Sequence, residues 1–319
     1  MNQFLVSGTP HVRSKESVQS IMRDVIIALT PATLVGIFFF GLNSLLLVLV
    51  SIASAVFFEW AYQKVMKKTV TITDLSAVVT GLLLAMNLPP STPLWMAAAG
   101  SAFAIIIAKQ LFGGLGQNFI NPALAGRAFL LISYPTAMTT WSAPVGFGAD
   151  AVSMATPLSY LKDGVLPDES LFQLFIGQVS GCIGEVSAVA LIAGGIYLIV
   201  RHVISWRIPV IYIGVVFILS MLLGRDGLGN VAVYELLVGG LMLGAFFMAT
   251  DYASSPITTT GQIIYAVGCG LMTVLIRTFG GYPEGVSFAI LIMNLFVPLI
   301  ERFTEPKIFG ALPKVKEAK

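Results

Sequence analysis

Apolar runs of near-membrane length follow one another through almost the whole chain, and no other feature constrains its fold as much. They lie at about 24–41, 43–62, 75–88, 92–111, 121–134, 178–200, 208–223, 231–250, 261–279 and 284–301, broken by Gly, Pro or charged residues. Hydrocarbon offers no water to backbone N–H and C=O groups, so runs like these cross it as helices that satisfy their own backbone. Only 11% of the residues are charged, whereas soluble domains carry roughly 25%, and 56% are hydrophobic. The expectation is an all-α integral membrane protein with about ten transmembrane helices. A net charge of +2 gives no basis for a nucleic-acid partner, and lipid is the implied environment. The N-terminus has no early apolar core, so no cleavable signal peptide is expected.

Positive charge fixes the expected orientation. Arg13, Lys15 and Arg23 precede the first run, and Lys64, Lys67 and Lys68 follow the second. Lys109 ends the fourth, Arg201 and Arg207 bracket the turn after the sixth, and Arg302, Lys307, Lys314, Lys316 and Lys319 follow the tenth. With ten spans all of these fall on one side, which places both termini in the cytoplasm. The loop 135–170 then lies outside, with Asp150, Asp163, Asp168 and Glu169 against a lone Lys162.

The chain also repeats itself. "LPPSTP" begins at Leu88 and "SPITTT" at Ser255, with Pro89 and Pro256 separated by 167 positions; "LFGG" at Leu111 and "TFGG" at Thr278 show the same offset. Five spans per half is an odd number, so the second copy is inverted relative to the first. The predicted organisation is a cytoplasmic segment 1–23, a first five-helix repeat 24–134, an outer loop 135–177, a second five-helix repeat 178–303 and a cytoplasmic tail 304–319.

Several helices are predicted to be short or broken. The run 75–88 would rise about 21 Å against a hydrocarbon core of about 30 Å, and it stops at Pro89-Pro90. Asn121-Pro122 places an N-cap residue before a proline at the first helical position, so a helix is predicted to begin at membrane depth. "MATDYASSPITTTG" sets Asp251, Ser254, Ser255 and Pro256 between two apolar runs. Irregular backbone at such depth belongs where protein or a water-filled cavity surrounds it.

Glu59, Arg127, Glu185, Glu235, Asp251, Arg277 and Glu284 lie in or beside apolar runs. A charge at a helix centre costs roughly 2.5–3.5 kcal/mol. Arg127 is too far inside its run to reach the interface, so it needs a carboxylate, backbone carbonyls at a broken helix, or a bound cofactor. Asp251 and Glu284 suggest an ion or proton path, with Ser254, Ser255 and Thr258 as further oxygen ligands; pairing with Arg127 or Arg277 is the alternative. Cys182 and Cys269 stand outside any CxxC or Cys/His cluster and read as packing residues. With His11 and His202 the only histidines, no metal, iron–sulfur or haem site is expected. No Ser/His/Asp triad, Walker loop or dinucleotide fingerprint is present, so no catalytic residue is assigned.

Three stretches add a resemblance. "AKQLFGGLGQNFINPALAGRAFLLISYP" (Ala108 to Pro135), "FFMATDYASSPIT" (Phe246 to Thr258) and "GGYPEGVSFAILIMNLFVPLIE" (Gly280 to Glu301) resemble a family of membrane flavoprotein subunits, RnfD and NqrB. RnfD belongs to the Rnf complex, a ferredoxin:NAD oxidoreductase, and NqrB to the sodium-translocating NADH:quinone reductase. The likeness runs from about Val12 to Pro306, and the short segment ahead of the first span looks more like RnfD. The resemblance implies a Ser-x-Ala-Thr motif at Ser153, Ala155 and Thr156, with FMN held through a phosphoester on Thr156. It further implies a second, non-covalent flavin, riboflavin, within the membrane. Gly113, Gly114, Asn118, Asn121 and Arg127 are the candidate pocket for it, because a helix N-terminus offers N–H donors to flavin carbonyls. The implied role is a non-autonomous, electron-carrying subunit of a translocase that pumps Na+ or H+, partnered by Rnf subunits A, B, C, E and G. A cofactor-free inverted-repeat channel or transporter, and the quinone-reductase subunit NqrB, are the rival readings.

Overall fold

The computed structural model describes residues 16–144, 154–162, 164–167, 169–177, 179–223, 231–281 and 284–306. Ser153, and most of the two terminal segments, lie outside them. Among the described residues the chain is helical, without a β-strand. Two long helices come first, α1 (Val18–Phe40) and α2 (Leu42–Val65). Ser17 starts α1 through a capping box with Ser20, and Gly41, at φ +77°, turns the chain sharply into α2. Three shorter apolar helices follow: α3 (Ser76–Met86), α4 (Leu94–Gln110) and α5 (Pro122–Ser133). The last eight residues of α4, Phe103–Gln110, form a π-helical stretch.

Small helices α6 (Pro135–Met138), α7 (Pro157–Lys162) and α8 (Leu171–Ile176) occupy the connection between the halves. Then come α9 (Ala188–Val200), α10 (Arg207–Leu222), α11 (Val231–Leu237), α12 (Leu241–Met248), α13 (Thr259–Phe279) and α14 (Val286–Thr304). Helices α1, α2, α13 and α14 are long and apolar enough to cross a membrane; α11 and α12, bent by 59° at their break, make a fifth if taken as one span. Large apolar side chains such as Leu34, Phe38, Ile218, Phe279 and Phe303 stand exposed on the helices, as lipid-facing residues do.

Every apolar run read from the sequence contains a helix, with two differences. The run 178–200 is helical only from Ala188, and the run 231–250 is broken at Val238–Gly240. The first difference has a physical reason in α3. A helix end leaves carbonyls without partners, and the irregular segment 179–187 supplies donors to the end of α3: Gly184 N–H to Met86 O at 2.8 Å and Ile183 N–H to Leu88 O at 3.2 Å. Gly184 is required there, since a Cβ would sit 2.6 Å from that of Met86.

Helices α2, α3 and α4 pack together in the first half, and α10, α13 and α14 in the second. Contacts of α1 with α9 and of α5 with α14 join the two. One apolar core spans the junction and includes Leu29, Leu84, Leu124, Leu243 and Tyr265.

Candidate functional site

The ends of α3, α5, α12 and α14 meet at this junction, and a group of buried polar residues collects there. Asn121 starts α5: its Oδ1 accepts from the N–H groups of Ala123 (3.0 Å) and Leu124 (3.2 Å), and its Nδ2 donates to Met248 O at 3.2 Å. One side chain thus caps α5 and ties it to the end of α12. Asn118 donates to Ile120 O (3.1 Å) and to Asp251 Oδ2 (3.4 Å). Ser254 Oγ donates to the same Asp251 oxygen at 2.8 Å. Asp251 lies between helices. Burial pushes its carboxyl above the ordinary carboxylate range, while bonds from Ser254, the Ala253 N–H and Asn118 pull it back.

A cavity of about 90 Å³ opens beside these residues. Asn118, Asn121, Thr250, Asp251 and Lys109 give it polar walls, and Phe246 and Phe247 give it apolar ones. Two expectations change here. The N-terminus of α5 offers no free donors, because Asn121 and the helix itself take the N–H groups of Ala123, Leu124 and Ala125, and Pro122 has none. Gly113 and Gly114 do not line the cavity; at φ +124° and +97° they make the turn after α4. The polar groups facing the cavity are side chains, and the amides of Asn118 and Asn121 already donate to Ile120 O, Asp251 and Met248 O.

Arg127 faces away from the cavity. Its guanidinium pairs with Glu284 and donates to Asn87 Oδ1 (3.1 Å) and Ser287 Oγ (2.7 Å). Of the three acceptor types expected for it, the structure supplies a carboxylate. Cys182, read from sequence as a helical packing residue, instead sits in the irregular segment beside Arg127 and donates to Asn87 O at 3.2 Å. Donor atoms of Cys182, Glu185 and Glu284 lie within 4.8 Å of one another. Glu284 is therefore remote from the Asp251 cluster in its bonding. Ser255 N–H donates to Asp251 O (3.0 Å), whereas Thr258 caps α13 and its hydroxyl meets Thr304 Oγ1 at 2.7 Å.

Lys109 also departs from its expected place. It is 2% exposed, so it is no surface charge: its Nζ donates to both Glu59 oxygens (3.1 and 2.8 Å) and to Ser76 Oγ at 2.6 Å. Glu59 additionally accepts from Gln110 at 2.9 Å. The π-helical turn of α4 is what brings Lys109 and Gln110 inward together.

Thr156 precedes α7, and it is 4% exposed rather than displayed on an open loop. Its Oγ1 accepts from Ser159 N–H at 3.3 Å. Ser180 Oγ donates to Ala155 O (2.7 Å), and Lys162 Nζ donates to Gly280 O (2.6 Å) and Gly281 O (2.8 Å). Leu158 and Leu161 pack with Val231 and Val238. The segment is thus pinned to the second half. The Thr156 hydroxyl donates to no acceptor among the described residues, so an ester on it would remove no bond that it donates.

Asn87, Cys182 and Ser287 were not singled out for this site from sequence; only Asn87, immediately before "LPP", carried a local signal.

The family described as NQR2, RnfD, RnfE matches residues 5–310. A protein of Acetobacterium woodii, named as the D subunit of a Na(+)-translocating ferredoxin:NAD(+) oxidoreductase complex, is 55% identical, covering 98% of each chain. A Clostridium ljungdahlii protein, named as the D subunit of a proton-translocating ferredoxin:NAD(+) oxidoreductase complex, is 49% identical over 97% of each. The D subunit of the ion-translocating oxidoreductase complex of Halorhodospira halophila is 36% identical, over 96% of this chain and 95% of its own.

Proposed function

The chain belongs to the NQR2, RnfD, RnfE family, and from that premise we propose that it is the membrane flavoprotein subunit of an Rnf-type ferredoxin:NAD oxidoreductase that translocates Na+ or H+. The observation that carries the reading is near-complete coverage at 55% and 49% identity by two subunits so named, one for each ion. Other Rnf subunits would hold ferredoxin and NAD. This chain carries electrons and has no half-reaction of its own.

Ten spans in two inverted repeats agree with the helix positions. Moved on by the 167-residue offset, α1 lands on α9, α2 on α10, α3 on the end of α12, α4 on α13 and α5 on α14. The repeats are 24–134 and 178–303, with both termini cytoplasmic and the loop 135–177 outside. Lys109 drops out of the charge count, but Arg23, Lys64, Lys67, Lys68, Arg207 and Arg302 still support that orientation.

FMN is held by a phosphoester on Thr156, with Ser153 and Ala155 completing the motif; bound there it would supply one- and two-electron chemistry. What this chain contributes is position. Lys162, Ser180 and the Leu158–Val238 packing hold Thr156 against the α11 break and the end of α13. A second, non-covalent flavin would be held beside Asn118 and Asn121, with Phe246 and Phe247 as apolar neighbours. Asp251, Ser254 and Ser255 lie beside it on the ion path.

The test is the denatured protein on a gel under ultraviolet light. The wild-type band fluoresces and the Thr156→Val band does not, while both insert and assemble. Valine matches threonine in shape and removes one 3.3 Å acceptor. A fluorescent Thr156→Val band puts the flavin elsewhere; a dark wild-type band removes covalent flavin altogether.

A further inference from the structure

Donor atoms of Glu185 and Glu284, both in the second half, lie within 4.8 Å of one another where Arg127 of the first half reaches in. Glu185 comes from the irregular segment before α9, and Glu284 stands just ahead of α14. Both are buried, and on each the Oε1 atom has no hydrogen-bond partner among the described residues. Arg127 answers Glu284 through Oε2. Arg277, the other guanidinium near Glu185, is committed to the carbonyls of Glu235, Val238 and Gly239 at 2.6, 3.1 and 3.3 Å. Arg277 keeps its charge on those neutral carbonyls, and Glu235 is the acid that acts on it most. Set against Glu235, it leaves Glu185 and Glu284 with one guanidinium, Arg127, between them, and a buried charge without a partner is costly.

We infer that Glu185 and Glu284, with Cys182 beside them, bind one Na+ ion. A monovalent ion restores neutrality, whereas a divalent one would leave an excess positive charge beside Arg127. Carboxylate oxygens are the ligands a hard cation prefers. The thiol is a weak neutral neighbour, already donating to Asn87 O. The unpartnered Glu185 Oε1 packs against Gly240, where a Cβ would lie 2.6 Å from it, so only glycine fits there. By contrast the Asp251 Oδ2 oxygen already accepts from Ser254 and Asn118. The site lies where repeated halves meet and where helices are broken. It deepens the ion-translocating reading above and rests on that reading for its purpose, though not for its geometry.

The test is the melting temperature of the purified complex, followed on this chain, in NaCl against choline chloride at equal ionic strength. Na+ should raise it. The rise should be lost in Glu185→Gln and kept in Asp74→Asn, whose carboxylate bonds Ser76 at the start of α3. A wild type indifferent to Na+, or a rise unchanged in Glu185→Gln, overturns the site. A rise lost only in Asp251→Asn returns the ion to Asp251 and also overturns it. If Glu185→Gln does not assemble, maleimide labelling of the two wild-type cysteines decides. Na+ should slow labelling of Cys182 and leave Cys269 unchanged; no Na+-dependent difference between them overturns the site. A Na+-dependent melt with Na+-independent turnover would instead sink the translocation reading and leave the site standing.

Discussion

Arg127 and Arg277 are both buried in apolar helices, in opposite halves of the chain, and they are neutralised differently. Arg127 meets a carboxylate, Glu284, plus two neutral oxygens on Asn87 and Ser287. Arg277 meets only backbone carbonyls, those of Glu235, Val238 and Gly239. The Glu235 carbonyl belongs to the last turn of α11 and the other two to the break that follows, so all three lie at the C-terminal end of that helix, where the macrodipole is negative. A helix end can therefore stand in for a counterion. The difference has a consequence for function. A carbonyl cage is fixed by the backbone and belongs to the fold, whereas a carboxylate can change partner and so can take part in ion movement.

The largest effect should follow from breaking the carboxylate pair. Glu284→Gln takes away the carboxylate bonded to Arg127 and leaves the buried guanidinium to the neutral oxygens of Asn87 and Ser287, at a cost of about 3–5 kcal/mol. The complex should melt well below wild type in detergent. Adding Arg127→Gln should return part of the loss, with a coupling of about 0.5–3 kcal/mol in a double-mutant cycle. Strict additivity would mean that the pair is not an energetic unit. Among the described residues no carboxylate forms a salt bridge with Arg277. Arg277→Lys keeps the charge but loses the fork, so at least one of three carbonyls goes unanswered, for about 1–3 kcal/mol. A loss from Arg277→Lys as large as from Glu284→Gln would erase the distinction between the two sites.

The two arginines also show what a sequence can carry. Both were visible as charges in apolar runs, and the short helices around them were visible from Pro89-Pro90 and Asn121-Pro122. Glu284 was visible as an acid, but its partner was not, because the 157 positions between it and Arg127 are bridged only by packing of α5 on α14. Lys109 misled for a related reason. It ends an apolar run and so reads as an interfacial charge; the π-helical turn that rotates it onto Glu59 leaves no mark in composition. The helix beginning at Ala188 rather than about 178 was hidden too. Segment 179–187 sits within one apolar run, but the N–H groups of Ile183 and Gly184 are spent on the end of α3. Thr156 was legible as a motif residue, whereas its burial depends on Leu158 and Lys162 docking on the second half.

Asn121 is the neutral counterpart of Arg277, and it gives the smallest effect expected here. Arg277 answers carbonyls at a helix C-terminus; Asn121 answers N–H groups at a helix N-terminus, and its amide also reaches across to Met248 O. Asn121→Ala removes both functions. Loss of an N-cap costs about 0.5–2 kcal/mol, and the Met248 carbonyl loses a donor in addition. Asn121→Asp separates them. A carboxylate caps as well as an amide and favours the positive end of the dipole, but it cannot donate to Met248 and sets an oxygen against that carbonyl. If Asn121 acts mainly as a cap, Asn121→Asp should melt close to wild type and Asn121→Ala below it. If the bridge between the halves matters more, the two should melt alike, and the non-covalent flavin proposed for the cavity beside Asn121 should be lost in both, read as the fluorescence released on acid precipitation. That second outcome would place Asn121 with Arg127, as a side chain that joins the halves, rather than with Arg277, as one that finishes a helix.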